Sequence, residues 1–212
     1  MGKFNFIKLA LAATLLMGVN QQSMAQNAST SSTETGNAVY RNIMTRTSVR
    51  AYQEKLVEEE KIDKLLRAGM AAPSAVNRQP WHFVVVTDRT ILDRLADANP
   101  NARFLKGAPL AIVVCGDLDK ALEGRAQEYW IQDCSAATEN ILLAAHGLGL
   151  GAVWTGTYPS ESRCKAVAEV LQLPESIVPL NTLVIGYPQK AGQPKDKWNE
   201  EKVSYNRYGQ KK

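Results

Sequence analysis

The chain of 212 residues is 45% hydrophobic and 22% charged, which is an ordinary globular composition with enough length for one domain and a core. Its 25 basic and 21 acidic residues give a formal net charge of +4 at pH 7. Because no basic stripe with interleaved aromatic residues accompanies this small excess, the sequence argues against a nucleic-acid-binding protein.

The first 25 residues have the features of a secretory signal peptide. Lys3 and Lys8 precede the apolar run Leu9 to Val19, and Ser23-Met24-Ala25 offers small residues at the −3 and −1 positions of a cleavage site. The apolar run is too short for a membrane span, although an uncleaved anchor stays open as an alternative. We therefore expect an exported, periplasmic protein with no stable membrane association.

The remaining chain is predicted to be a flexible leader over residues 26–36 and a single domain over residues 37–212. The leader is rich in Ser, Thr and Asn and has no apolar residue large enough to pack. Within the domain, apolar side chains repeat with helical periodicity or form short continuous runs. The pattern predicts helices over 38–44, 58–70, 91–95, 129–148 and 160–170, and buried strands over 81–86, 110–115 and 178–185. Since these elements interleave without βαβ regularity, we expect an α+β domain with a mixed β-sheet flanked by helices.

The next distinctive segment, Arg46-Thr47-Ser48-Val49-Arg50, places two arginines around a hydroxyl group. Guanidinium groups form bidentate hydrogen bonds with phosphate, and the hydroxyl of Ser48 can add another. The segment therefore indicates a phosphate site, with solvated surface arginines as the alternative.

The connector from Ala72 to Trp81 follows a predicted helix and precedes a predicted strand. Its two prolines cannot continue that helix. Small side chains in the connector let a flat ligand approach the backbone, and the carboxamides of Asn77 and Gln79 offer donors and acceptors to a ring with mixed polar edges. The alternative interpretation is a simple helix-to-strand linker.

Three cysteines are too few and too widely spaced to indicate a metal site. Cys115 ends an apolar run and Cys134 lies on the apolar face of a predicted helix. We expect buried core thiols, which burial would protect in an oxidising compartment. A bridge between Cys134 and Cys164 is the alternative.

The run Gly147-Leu148-Gly149-Leu150-Gly151 superficially resembles a dinucleotide-binding fingerprint. It lacks the GxGxxG spacing and follows a helix rather than a strand. We interpret it as the end of the long helix, where glycines are common.

Together, the segments 46–50 and 72–81 resemble the two signatures of the FMN-dependent nitroreductase family, and they occur in the family's order. In that family an Arg-x-Ser-x-Arg segment holds the FMN phosphate, and an Ala-Pro-Ser-x-x-Asn-x-Gln-Pro-Trp segment lies along the flavin. The resemblance covers residues 37–207. It implies a nitroreductase-like three-layer domain in an intertwined homodimer, with two FMN sites that are each built from both subunits.

The resemblance also implies an activity. Such a protein passes two electrons from NADH or NADPH to nitro compounds, quinones or similar acceptors in a ping-pong cycle. The cofactor carries this chemistry, so no protein side chain is assigned a catalytic role. The cofactor-binding residues that the resemblance implies are Arg46, Thr47, Ser48, Arg50, Pro73, Ser74, Ala75, Asn77, Gln79, Asn101, Gln132, Asp133, Val153, Trp154, Thr155, Gly156, Lys195 and Lys197. At Lys197 family members usually have an arginine, so the charge is kept but the guanidinium fork is lost.

Two other functions stay open. The first is a deiodinase-like reductive dehalogenase of the same superfamily, although such enzymes usually carry a lid insertion and only about ten residues separate Asp117 from Gln127 here. The second is a non-catalytic exported flavin-binding protein. Open space over the flavin would favour catalysis, and a side chain filling that space would favour storage. Exported compartments are poor in reduced nicotinamides, so a different electron donor also stays open.

Overall fold

The computed structural model describes residues 36–212. The predicted signal peptide and all but the last residue of the predicted leader lie outside the described residues. The chain divides after Met44 into two units, and the second, Thr45–Lys212, contains the sheet. Of the first unit, residues 36–44 are described, and they belong to a helix over 36–45 (α1).

A four-stranded sheet forms the centre of the second unit. Its strands are β1 (Trp81–Val86), β2 (Leu110–Asp117), β3 (Gly151–Gly156) and β4 (Ile177–Gly186), in the order β1-β2-β4-β3. All three pairings in this sheet are antiparallel. A mixed sheet was predicted. Among the described residues, the parallel part of the sheet is limited to an isolated bridge between Ser48 and Ala152.

The two central strands are apolar because helices cover both faces of the sheet. Every residue of β2 is buried, whereas β1 at the edge has exposed positions. The register of β2 against β4 shifts between Val114 and Cys115, opposite Pro179. Proline has no N–H to donate to a ladder, so an irregularity is expected at that point.

Four further helices pack on the sheet: α2 (Glu59–Met70), α3 (Arg89–Ala98), α4 (Tyr129–Gly147) and α5 (Glu161–Leu171). One core cluster joins α2 and α4 to one face through residues such as Leu65 and Ile141. The other joins α3 and α5 to the opposite face through residues such as Leu92 and Val167. The predicted α+β architecture with helices on both faces is confirmed.

Close packing of α4 depends on one glycine of β2. A Cβ atom at Gly116 would overlap the ring of Trp130. Trp130 is buried and its ring makes an edge-on contact with Tyr158, with centroids 5.1 Å apart. The first turn of α4 is thereby fixed against the sheet.

The prediction that the cysteines are buried core thiols is confirmed in part. Cys115 and Cys134 are buried, Cys164 is half-buried and all three are free thiols. Burial raises the pKa of Cys115 to about 12 and that of Cys134 well above its usual value. Cys134 lies on α4 and Cys164 on α5, on opposite faces of the sheet, so the alternative bridge between them is excluded.

Within residues 36–212, no group of three or more His, Cys, Asp or Glu side chains is arranged to hold a metal ion. The helices of this same part of the chain are each too short or too polar to cross a bilayer.

Candidate functional site

The predicted phosphate segment runs along the edge strand β3. Ser48 forms the parallel bridge to Ala152, and the Val49 N–H donates to the Ala152 carbonyl at 3.0 Å. A Cβ at Gly151 would lie 2.7 Å from the side chain of Val49, so a glycine is needed for this close approach. Residues 46–50 are therefore fixed against the sheet although they belong to no regular strand.

The two arginines of this segment differ in their surroundings. The Arg46 side chain is only 18% exposed and its Nε lies 3.5 Å from Glu139 Oε1 on α4. Arg50 is exposed, with its guanidinium 5.8 Å from the centre of the Phe104 ring. Ser48 between them is exposed. Two cationic groups and a hydroxyl group thus lie along one short segment, as a phosphate site requires.

The C-terminal tail crosses the same segment. The Gln189 N–H donates to the Ala51 carbonyl at 3.1 Å, and a Cβ at Gly192 would overlap the Thr47 hydroxyl. Lys195 follows only three residues later, which limits its backbone to about 10 Å from this crossing. Lys195 and Lys197 are exposed and form no hydrogen bond or ion pair with any residue that the structure describes. Their ammonium groups are available to an anion at this edge.

At the far end of β3, two asparagines converge on one carbonyl group. The side-chain amides of Asn99 and Asn101 donate to the Gly156 carbonyl at 3.1 and 3.4 Å. Asn99 is fully buried and also donates to the Thr157 hydroxyl at 3.3 Å. Sequence reasoning singled out Asn101 and missed Asn99. The signal that could have found it is its position before Pro100, where its side chain caps the following 3₁₀ helix.

The space in front of Gly156 is open. A Cβ added there would meet no atom within 4 Å. The neighbouring Trp154 side chain is 37% exposed, whereas Val153 is packed in the core and the Thr155 hydroxyl donates to the Thr182 carbonyl at 2.7 Å. Of the predicted residues in this strand, Val153 and Thr155 can therefore offer a ligand only their main chain.

The structure thus brings one group of predicted residues together along β3. We call residues 46–50, 151–156 and 189–197 the cationic edge.

The predicted ring-binding residues lie in a second region, which we call the amide loop, residues 73–79. Val76, Asn77 and Gln79 have φ angles of 51°, 56° and 51°, in the left-handed region that non-glycine residues seldom adopt. The Gln79 N–H donates to the Ser74 hydroxyl at 2.9 Å, and the Gln79 side-chain amide donates to Asn77 Oδ1 at 2.9 Å. Ala75 in the same loop donates its N–H to Asp133 Oδ1 at 2.8 Å.

These internal hydrogen bonds determine what the amide loop offers to a ligand. Asn77 uses its oxygen and keeps its NH₂ group free, and Gln79 uses its NH₂ group and keeps its oxygen free. Both side chains are exposed. A free donor therefore lies beside a free acceptor, which suits the alternating polar edge of a flat ring.

Among residues 36–212, no hydrogen bond connects the amide loop to the cationic edge. Pro73 is exposed within the loop, and Gln132 lies exposed on α4. Asp133 is buried and directed at the main chain of the amide loop.

The chemistry of the two regions fits a ligand with a phosphate at one end and a flat polar ring at the other. Arginine, lysine and hydroxyl groups supply the anion site. The free amide pair and the glycine facing open space can accommodate the ring.

Comparisons with known proteins point to one family. The model of the nitroreductase family matches residues 43–99 and 96–187. A protein of Archaeoglobus fulgidus with the provisional name NADH dehydrogenase/NAD(P)H nitroreductase is 50% identical over 147 residues, which cover 69% of this chain and 83% of the relative.

Solved structures give the same result. The crystal structure of a protein with that provisional name from Parabacteroides distasonis is similar with a TM-score of 0.77 and 48% identity, covering 81% of this chain and 99% of the other. An FMN-dependent nitroreductase from Clostridium difficile R20291 has a TM-score of 0.73 and 32% identity, covering 79% of this chain and 98% of its own.

Proposed function

The chain belongs to the nitroreductase family, and from that premise we propose that it is an FMN-dependent oxidoreductase that transfers two electrons from NADH or NADPH to nitro compounds, quinones or similar acceptors by a ping-pong cycle. The observation that carries this proposal is the cationic edge, where Arg46, Ser48 and Arg50 lie along strand β3 and the tail brings Lys195 and Lys197 near. FMN supplies the electron transfer when it is bound, and the protein supplies binding and orientation.

The cationic edge would bind the phosphate group. Arg46 and Arg50 would form hydrogen bonds with it, Ser48 would donate its hydroxyl, and Lys195 and Lys197 would close over it from the tail. Charge-assisted hydrogen bonds of this kind are worth about 1.5–3 kcal/mol each, so the phosphate would contribute a large share of the affinity.

The other end of the cofactor would lie over Gly156 and against the amide loop. The free NH₂ group of Asn77 and the free oxygen of Gln79 would bind the polar edge of the ring. Gly156 itself places no side chain between the ring and an acceptor. We favour an enzyme over a flavin-storage protein because the similar proteins are named as nitroreductases.

We further propose a homodimer in which each FMN contacts the cationic edge of one subunit and the amide loop of the other. Two observations support it. Among residues 36–212, the amide loop makes no hydrogen bond with the cationic edge. Large apolar side chains of the second unit are also exposed, and a partner subunit would cover them: Trp154, Trp198, Tyr205 and Tyr208.

A deiodinase-like activity is less well supported. The segment between β2 and α4 contains only a short 3₁₀ turn, Gly124–Glu128, and has little chain from which to build a lid over a substrate. A nitro compound or a quinone needs no such lid.

Export is proposed from the first 25 residues alone. If the signal peptide is cleaved as predicted, the mature protein isolated from the periplasm begins at Gln26. Recovery of the protein with Met1 intact, in the cytoplasm, would contradict this.

The activity is tested by the visible absorption spectrum of the purified mature protein before and after anaerobic addition of NADPH. We expect a flavin band that bleaches with NADPH and returns on addition of a nitroaromatic compound or a quinone. A band that bleaches only with dithionite would overturn the proposed donor. Absence of a flavin band after FMN is added would overturn the proposed function.

A further inference from the structure

Asp133 is a buried acidic residue that none of the proposed cofactor contacts uses. It lies in the second turn of α4 and is 6% exposed. Its Oδ1 accepts the N–H of Ala75 at 2.8 Å. A carboxylate that is buried and bound to the main chain of a loop is poorly placed to contact a ligand. Its role must therefore be sought in the loop.

The amide loop needs external support because its backbone is strained. Val76, Asn77 and Gln79 all have positive φ. Left-handed conformations are unfavourable for non-glycine residues, most of all for a β-branched one such as Val76. The Val76 side chain is 83% exposed, so its own packing offers little compensation. Strained loops of this kind persist only where surrounding contacts hold them.

Two kinds of contact are available to hold the loop. The bonds from Gln79 N–H to the Ser74 hydroxyl and from Asn77 N–H to the Ser74 carbonyl close the loop on itself. They do not fix it to the domain. That connection comes from Asp133 and from a longer contact of 3.3 Å between the Arg78 guanidinium and the Ala121 carbonyl.

Asp133 is the more rigid of these two anchors. It precedes Cys134, which is fully buried, and one turn later Ala137 is fully buried as well. Both pack against the sheet in the core cluster of α4. Arg78, by contrast, is exposed and reaches its partner with a long flexible side chain.

We propose that Asp133 is a positioning residue, which holds Ala75 so that the amide loop presents Asn77 and Gln79 to the flavin ring. The proposal rests on the proposed function in that the ligand is FMN. Asp133 itself contacts neither the cofactor nor a substrate.

A positioning role and a merely structural role predict different results for a buried carboxylate. Asp133→Leu leaves the part-buried N–H of Ala75 without its acceptor, and an unpaired donor lowers stability, so a lower melting temperature is expected in either case. A merely structural role would leave the FMN affinity of the folded protein unchanged. If Asp133 positions the loop, the FMN affinity of the folded protein falls as well.

The experiment compares the wild type with Asp133→Leu, Asp133→Asn and a matched control, Asn140→Leu. Asn140 lies on the same helix and also binds main chain of another element, donating to the Ala68 carbonyl at 3.0 Å, but it has no contact with the amide loop. Three quantities are measured: the melting temperature, the FMN dissociation constant, and hydrogen exchange of the Ala75 amide, resolved by NMR, in the FMN-free protein.

For Asp133→Leu we expect FMN binding to weaken about tenfold or more and exchange at Ala75 to accelerate by a similar factor. Asp133→Asn keeps an acceptor oxygen and should restore most of both. Asn140→Leu should leave FMN binding within about twofold of the wild type.

Two outcomes would overturn the proposal. One is Asp133→Leu binding FMN as the wild type does, and the other is an unchanged exchange rate at Ala75. Failure of the proposed function is distinguishable, because the wild type itself would then bind no FMN while the exchange measurement would still test the contact between Asp133 and Ala75.

Discussion

The cationic edge and the amide loop reach the same proposed ligand by different means. The amide loop has its conformation fixed by hydrogen bonds to Ser74 and Asp133, with three residues in left-handed geometry. In the cationic edge, residues 46–50 are tied to strand β3, whereas the lysines of the tail are exposed and unpaired among the described residues. A neutral ring is bound by directional hydrogen bonds, so the donors and acceptors that bind it must be held in place before binding. A phosphate is attracted by charge, so flexible lysine side chains can bind it without being held in place.

The largest effect is expected at Arg46. Arg46→Ala removes the less exposed of the two arginines and should weaken FMN binding about 10- to 100-fold, which corresponds to a charge-assisted hydrogen bond of about 1.5–3 kcal/mol. Titration of the FMN-free protein by flavin fluorescence measures this. Glu139→Ala removes the exposed partner of Arg46 and should change the affinity by only a few-fold. Equal losses in the two variants would contradict a phosphate role for Arg46.

Alanine substitutions at Gly156 and Gly116 compare a glycine that has no close neighbour with a glycine that is packed in the core. Gly156→Ala should leave the free energy of unfolding nearly unchanged, since its Cβ meets nothing, but should impair FMN binding or turnover. Gly116→Ala should destabilise the fold by about 1–3 kcal/mol, because Trp130 must move. Urea unfolding and steady-state kinetics of both variants provide the test. Full activity in Gly156→Ala would mean that no ligand approaches this residue.

The crossing of the tail over residues 46–50 can be tested at Gly192. Gly192→Ala places a methyl group against the Thr47 side chain, so the tail should shift and FMN binding should weaken by about 3- to 10-fold. The double variant with Thr47→Ala should recover part of this loss, since the hydroxyl that overlaps is gone. A double-mutant cycle on FMN affinity measures the coupling. Additive losses would show that the tail does not pack on Thr47 in solution.

The smallest expected effect concerns strain in the amide loop. Val76→Asn keeps the loop geometry but replaces a β-branched residue by one that tolerates positive φ, so the free energy of unfolding should rise by about 0.5–1 kcal/mol. Thermal and urea unfolding check the change, and FMN affinity should stay within about twofold. A loss of stability would show that Val76 is not strained in this loop.

The sequence predicted more of the framework than of the site. The helical period of α4 and the continuous apolar run of β2 predicted the right elements, because both patterns reflect burial. The strand β3 was not predicted from periodicity, because Gly151–Gly156 is short and its burial does not alternate along the chain. Charged and amide residues at the site were found through the resemblance to a family.

What could not be predicted depends on tertiary contacts. Asp133 was assigned to the cofactor, although only the fold shows that its carboxylate accepts the N–H of Ala75. Asn99 was missed because its buried contacts with Gly156 and Thr157 join segments far apart in the sequence. Local patterns carry no information about such pairings. The division of the predicted residues into two regions with no hydrogen bond between them among residues 36–212 is likewise a property of the fold.

The central claim, that each flavin contacts the cationic edge of one subunit and the amide loop of its partner, is tested most directly by mixed dimers. Arg46→Ala disables the first region, and the double variant Asn77→Ala/Gln79→Ala disables the second. Each protein alone should bind little FMN. When the two are unfolded together and refolded, half of the dimers are mixed and each mixed dimer has one intact site. Our account predicts that flavin content returns to about a quarter of the wild-type value. Flavin content that stays at the level of the separate variants would contradict it and would place both regions of each site in one chain.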